Sequence, residues 1–174
     1  MVVAISWFSL AAVGQNVPDG YRMSDYRALT PAVVPGATTV TTEELDRFIE
    51  ADDPILIDVL PSPPKPADLP SETVWLPRPH VSIAGAVWLP NVGYGALSDD
   101  MDRYFRSSLD RLTAGRRDRH LVFFCEPDCW MSWNASRRAL EYGYSAVYFY
   151  PEGVQGWQDA NLPTAAVKPF GEDR

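Results

Sequence analysis

The chain has 174 residues, 46% of them hydrophobic, which suits one domain built around a single core. Fifteen basic and 23 acidic side chains give a net charge of −8, and that balance argues against nucleic acid as a partner, because phosphate contacts need clustered Lys and Arg. No block of like charge is long enough to form a polyelectrolyte tail.

Residues 1–14 carry no charged side chain, and Val2 to Val13 is an apolar run. Ala12-Val13-Gly14 has the small-x-small form of a signal-peptidase site, and the run is too short to span a bilayer as a helix. The segment reads as an export signal with its basic start missing, as in a truncated one; a buried N-terminal segment is the alternative. Export would place the protein's cysteines in an oxidising compartment. Residues 15–36 are polar and aromatic with little periodicity and read as an extended arm laid on the domain.

Ala37 to Val40 is a short β-type run. Thr41 to Glu44 fits a capping box for a helix to about Ala51, with Leu45, Phe48 and Ile49 on one face. Pro54 to Val59 is apolar on consecutive positions, the pattern of a parallel strand covered on both faces. Residues 60–80 hold seven prolines and cannot be a central strand or a helix. They read as a surface excursion in which Val74, Trp75 and Leu76 are buried, with a flexible linker as the alternative. Gly85 to Pro90 is a third strand, and Asn91 to Ala96 a glycine-rich loop. Ser98 caps a helix to about Thr113, with Met101, Tyr104, Phe105, Leu109 and Leu112 as its inner stripe. A strand at 120–124 runs into Cys125, and a helix starts near Ser132 and reaches Tyr142, with Gly143 at C′. Ser145 to Tyr150 is the last strand, Gly153 to Trp157 a turn or short helix, and residues 163–174 a polar tail. This alternation predicts an α/β domain over residues 37–162, with an open, largely parallel sheet and helices on both faces.

Cys125 and Cys129 are the chain's two cysteines. They fall at the carboxyl end of a strand and the amino end of a helix, the reactive edge of an open α/β sheet. Free backbone N–H groups and the helix dipole favour an anion there, a thiolate included.

Several fragments, in order and correctly spaced, resemble the rhodanese-like family of sulfurtransferase domains. They are Leu56-Ile57-Asp58-Val59, the run from His80 to Val87, Val122-Phe123-Phe124-Cys125, Gly143-Tyr144, and Glu152-Gly153 through Gly156-Trp157. The stretch from Cys125 to Asn134, with Asn91 to Ser98 upstream, resembles a narrower group, the exported PQQ-dependent catabolism-associated CXXCW motif proteins, although the spacing here is Cys-x-x-x-Cys-Trp. That resemblance implies a periplasmic protein associated with pyrroloquinoline-quinone alcohol oxidation and specifies no reaction.

The family resemblance implies Cys125 as nucleophile, able to carry sulfane sulfur as a persulfide, with the backbone N–H groups of Glu126, Asp128, Trp130 and Met131 as its cradle. The loop departs from the family pattern. Trp130 stands where a basic residue is usual, Pro127 removes one N–H, and Leu60 replaces an arginine. Glu126 and Asp128 put carboxylates beside the thiol, which disfavours thiosulfate. Arg137 and Arg138 lie too far into the helix to compensate. An i,i+4 pair at a helix start has Cα atoms about 6 Å apart, within disulfide reach, so Cys129 is a resolving or disulfide partner. A static staple closing so small a loop adds little stability.

Bland readings stand beside these. The cysteines could be small buried groups, and His80 and His120 could complete a zinc site, although the spacing fits no known finger. Trp130 and Trp133 could wall a pocket, pack in the core, or face a partner. Asp58 orients loop backbone in one reading and is a catalytic base in the other. The function predicted is sulfur-transfer or thiol–disulfide chemistry on Cys125 and Cys129, with Asp58 and Trp133 in support, a small sulfur or thiol donor, and no cofactor or metal. The alternative is a non-catalytic accessory module for a quinoprotein dehydrogenase or its cytochrome c.

Overall fold

Continuous apolar runs become the inner strands, and capped amphipathic stretches become the helices that cover them. A computed structural model describes residues 17–62, 68–70 and 80–171. The signal segment 1–14 and most of the proline-rich excursion, with Val74, Trp75 and Leu76, lie outside the described residues. The chain runs β1 (Thr38–Thr39), α1 (Thr42–Asp52), β2 (Ile55–Asp58), β3 (His80–Ile83), β4 (Val87–Trp88), α2 (Asp99–Thr113), β5 (Leu121–Phe124), α3 (Trp130–Glu141), β6 (Val147–Tyr150), α4 (Gly153–Asp159) and β7 (Thr164–Val167).

Five strands form one parallel sheet in the order β1-β6-β5-β2-β4. All four residues of the central β5 are buried. Alternation along the strands divides the core in two. Ile57, Leu121 and Phe123 face Phe105 and Leu109 of α2 and Met131, Ala135 and Ala139 of α3. Leu56, Val122, Phe124 and Tyr150 face Leu45, Phe48 and Ile49 of α1 and Val154 and Trp157 of α4. The predicted α/β class, with a largely parallel sheet and helices on both faces, is the class observed. The capping box at Thr41 and Glu44 and the Ser98 cap are both formed.

Two expectations are corrected. Residues 163–174 are not simply a tail, because Thr164 to Val167 forms β7, antiparallel to β3 in a separate two-stranded sheet. Neither tetrapeptide has a strong β signal of its own; each is stabilised by pairing with a segment far away in sequence. The second correction is the start of α3, which lies at Trp130, ahead of Ser132. Cys129 is the N-cap and offers no capping bond, while the Ser132 hydroxyl donates back to its carbonyl at 3.2 Å. Among the described residues, no helix is long and apolar enough to cross a membrane.

Candidate functional site

β5 delivers Cys125 to the carboxyl edge of the sheet, and residues 126–128 turn the chain into α3. Asp128 takes a left-handed conformation (φ 53°), which Asp tolerates better than most residues, and this turn returns Cys129 towards Cys125. Their Cα atoms are 6.3 Å apart and their sulfurs are joined as a disulfide. Both residues are buried. The Cys125 carbonyl accepts the Val154 N–H at 2.9 Å. Gly153 (φ 57°) approaches so closely that a Cβ on it would lie 2.5 Å from that same oxygen.

The N-terminal arm lies across the cysteine loop. Arg27 pairs with Cys129 in an isolated antiparallel bridge, and Tyr26 O accepts the Trp130 N–H at 2.9 Å. The Arg27 guanidinium sits 2.6 Å from the Glu126 carboxylate. Upstream, the buried Asn134 side chain accepts from Arg22 N and donates to Arg22 O, both at 2.9 Å, and donates to Gly93 O at 2.9 Å. A Cβ on Gly93 would lie 2.4 Å from Met131 O, and one on Gly95 2.3 Å from Arg22 O. The glycines of the 91–96 loop therefore let arm, loop and helix start close on one another.

The amide cradle expected around the thiol is altered by this arm, which takes the Trp130 N–H. Trp130 and Trp133 anchor the arm: their rings meet edge-on at 5.3 Å in a cluster with Val34 and Phe149, and the Trp133 indole donates to Val33 O at 2.9 Å. Asp58 is fully buried at the end of β2; its Oδ1 accepts the Leu60 N–H at 2.8 Å, and its Oδ2 accepts the Ser82 hydroxyl at 2.6 Å and lies 2.7 Å from His80 Nε2. Those contacts tie the loop after β2 to β3. His120 lies at the opposite end of β5, against Phe48 and Tyr148. Among the described residues, no group of three or more His, Cys, Asp and Glu side chains is placed to hold a metal ion. Arg137 bonds to Glu141 at 3.1 Å, and the buried Arg138 bonds to the carbonyls of Val92 and Gly95 at 3.1 and 2.8 Å. Both guanidinium groups are thus committed to other partners.

Two clefts meet at Cys129. One, of about 480 Å³, is lined by Pro127, Asp128, Cys129, Ser132, Glu152 and Asp159 among others. The second, of about 470 Å³, is lined by Asp25, Tyr26, Arg27, Leu60, Tyr94, Cys129 and Met131 among others. A third, of about 370 Å³, lies beyond Arg27 and Glu126 and is lined by His80. Sequence reasoning did not foresee Arg27, Glu152 or Asp159 at the cysteines, and it quoted Asn134 only as part of a motif. The capacity of Asn134 to satisfy a backbone strand on both its N–H and C=O was the one signal present.

A family model for the rhodanese-like domain matches residues 41–160. No curated protein sequence matches the chain significantly. Among solved structures, the polysulfide-sulfur transferase homodimer from Wolinella succinogenes is 14% identical, with 81% of this chain and 86% of that one covered at a TM-score of 0.48. An EanB variant in complex with ergothioneine is 18% identical at a TM-score of 0.51, over 75% of this chain and 32% of that one. The chain thus spans about a third of EanB. SseA from Escherichia coli, one of the 3-mercaptopyruvate sulfotransferases, is 18% identical at a TM-score of 0.46, over 74% of this chain and 51% of that one. At such identities the likeness is one of fold.

Proposed function

The chain belongs to the rhodanese-like domain family, and from that membership we propose that it carries thiol–disulfide chemistry on the Cys125–Cys129 pair. One observation carries the reading: the cysteine at the family's nucleophile position is bonded to a second cysteine at the sheet edge. A disulfide there is an electron-pair acceptor, and its reduction yields a thiolate able to take up sulfane sulfur, with Cys129 available to release it as hydrosulfide. Sulfur transfer from thiosulfate is disfavoured, because Arg137 and Arg138 are committed elsewhere and Arg27 is paired with Glu126. The proposal includes export to the periplasm and support of PQQ-dependent alcohol oxidation. Its basis is the Cys125-to-Asn134 motif and the apolar first fourteen residues. A periplasmic setting also suits a persistent disulfide.

The test is a redox titration of the pair together with a Cys125→Ser allele in cells growing on an alcohol. The reading expects a reversible dithiol–disulfide couple and impaired growth with the allele. Growth that requires the protein but ignores Cys125→Ser would sink it. That outcome would favour the second reading, an accessory module for a quinoprotein dehydrogenase or its cytochrome c. The observation behind that second reading is the exposure of Met23, Leu29 and Val33 on the arm beside the cysteine loop.

A further inference from the structure

We propose that Cys129, not the family's nucleophile position Cys125, is the sulfur attacked by an incoming reactant, and that this reactant is a small thiol of zero or positive net charge. The inference rests on the thiol–disulfide reading above and names its point of entry and its substrate class.

Thiol–disulfide exchange requires the thiolate to approach the attacked sulfur from behind, along the extension of the S–S bond, so access decides which sulfur reacts. Cys125 is enclosed. It continues a strand whose neighbour is β2, its carbonyl is held by Val154, and Gly153 presses on its backbone. It lines none of the three clefts around the loop. Cys129 is nearly as buried, 2% exposed against 1%, but it stands at the start of α3 and lines two of them.

The two openings differ in charge. The cleft on the α4 side has the carboxylates of Asp128, Glu152 and Asp159 in its wall and no Lys or Arg. The cleft on the arm side carries Asp25 and Arg27, which balance. Because on the arm side the arm itself covers Cys129, through the Arg27–Cys129 bridge and the hydrogen bond from the Trp130 N–H to Tyr26 O, we assign entry to the α4 side. Three carboxylates there concentrate cations and repel anions, so a carboxylate- or sulfonate-bearing thiol is excluded in favour of an amine-bearing or uncharged one.

The chemistry balances within the pair. The thiolate of R–SH forms a bond to Cys129 Sγ, the Cys125–Cys129 bond breaks, and the electron pair leaves on Cys125 Sγ, which takes up the proton the thiol lost. A second R–SH attacks the R-side sulfur of the mixed disulfide, forming R–S–S–R and releasing Cys129. Two thiols are oxidised to a disulfide, and the protein disulfide is reduced to a dithiol.

The oxidised full chain is reacted with cysteamine, mercaptoethanol and mercaptopropionate at matched thiolate concentration and low salt. Each rate is divided by that thiol's rate with a small uncharged disulfide, which removes the difference in intrinsic thiolate nucleophilicity, and these ratios should fall in that order, with cysteamine ahead of mercaptopropionate by roughly tenfold or more. The gap should shrink at high salt and in Asp128→Asn with Asp159→Asn, since Asn keeps the left-handed turn at 128. Acid quenching, alkylation and peptide mapping of the wild-type protein should find cysteamine on Cys129 and the alkyl group on Cys125. As a second measurement, Cys125→Ser should form a mixed disulfide with cystamine faster than Cys129→Ser does. Cysteamine on Cys125, or equal normalised rates for all three thiols, overturns the inference while leaving exchange intact. A pair that no thiol reduces overturns the exchange reading itself, and this inference with it.

Discussion

Asn134 is fully buried, and its side chain accepts one hydrogen bond and donates two, all to backbone groups of Arg22 and Gly93. Removing it takes this partner from the part-buried N–H and carbonyl of Arg22 and from the buried Gly93 carbonyl, which costs about 1–3 kcal/mol for each group that stays dry. Asn134→Ala is therefore expected to lower unfolding free energy by about 2 kcal/mol or more and to expose the arm to trypsin at Arg22 and Arg27. A variant whose arm is cut no faster than the wild type would show that the arm is held by other contacts. Gly153 carries a different constraint. Its φ of 57° and the 2.5 Å approach to Cys125 O leave no room for a Cβ. Gly153→Ala combines left-handed strain of roughly 1–2 kcal/mol with overpacking of similar size. Denaturant unfolding should report a loss of about 2–4 kcal/mol. Neither role was legible from local pattern. Asn134 lay in a quoted motif, but its partners lie 112 and 41 residues away.

At the scale of elements, the arm is the part of the fold whose purpose the sequence concealed. Its backbone bonds the Trp130 N–H and the side chains of Trp133 and Asn134, and the Tyr26 hydroxyl accepts the Gly95 N–H, so no periodicity betrays its path. Tyr21 gives the arm a pH dependence. Burial, and then the hydrogen bond to Glu141, push its phenol up to about 12. Below pH 10 the tyrosine is protonated in the folded and unfolded chain alike, and the contact contributes in full. Above pH 10 the unfolded chain loses its proton first, so stability falls as pH rises from about 10 to about 12. Thermal unfolding at pH 9, 10 and 11 should show that fall, and Tyr21→Phe should make it shallower. An identical pH profile in the variant would place the alkaline sensitivity elsewhere. The helices α1 and α2 were easier to read, because Thr41 with Glu44, and Ser98, are local capping signals. α3 was read as starting late, because its N-cap is a cysteine that makes no capping bond.

For the whole molecule, the question is whether the disulfide holds the fold or serves chemistry. Closing a loop of about five residues constrains the unfolded chain by about 2 kcal/mol on the entropy model. The core needs no staple of that kind, since two apolar layers already cover the sheet. The double variant Cys125→Ser with Cys129→Ser should stay folded, with unfolding free energy lower by about 2 kcal/mol. A loss above about 4 kcal/mol, or failure to fold, would instead mark the bond as structural. The sequence by itself determined the α/β class, the inner strands and most helix boundaries. Apolar runs, helical stripes and capping residues act within a few residues and leave a local trace. It also placed two cysteines at the sheet edge within bonding reach. Only the tertiary structure decided which cysteine meets a cleft and what charge surrounds it. Access to residues 125–129 is set by segments at 25–30 and 151–159, and their approach depends on packing between elements that are distant along the chain. β3 and β7 follow the same rule, since each becomes a strand through the other.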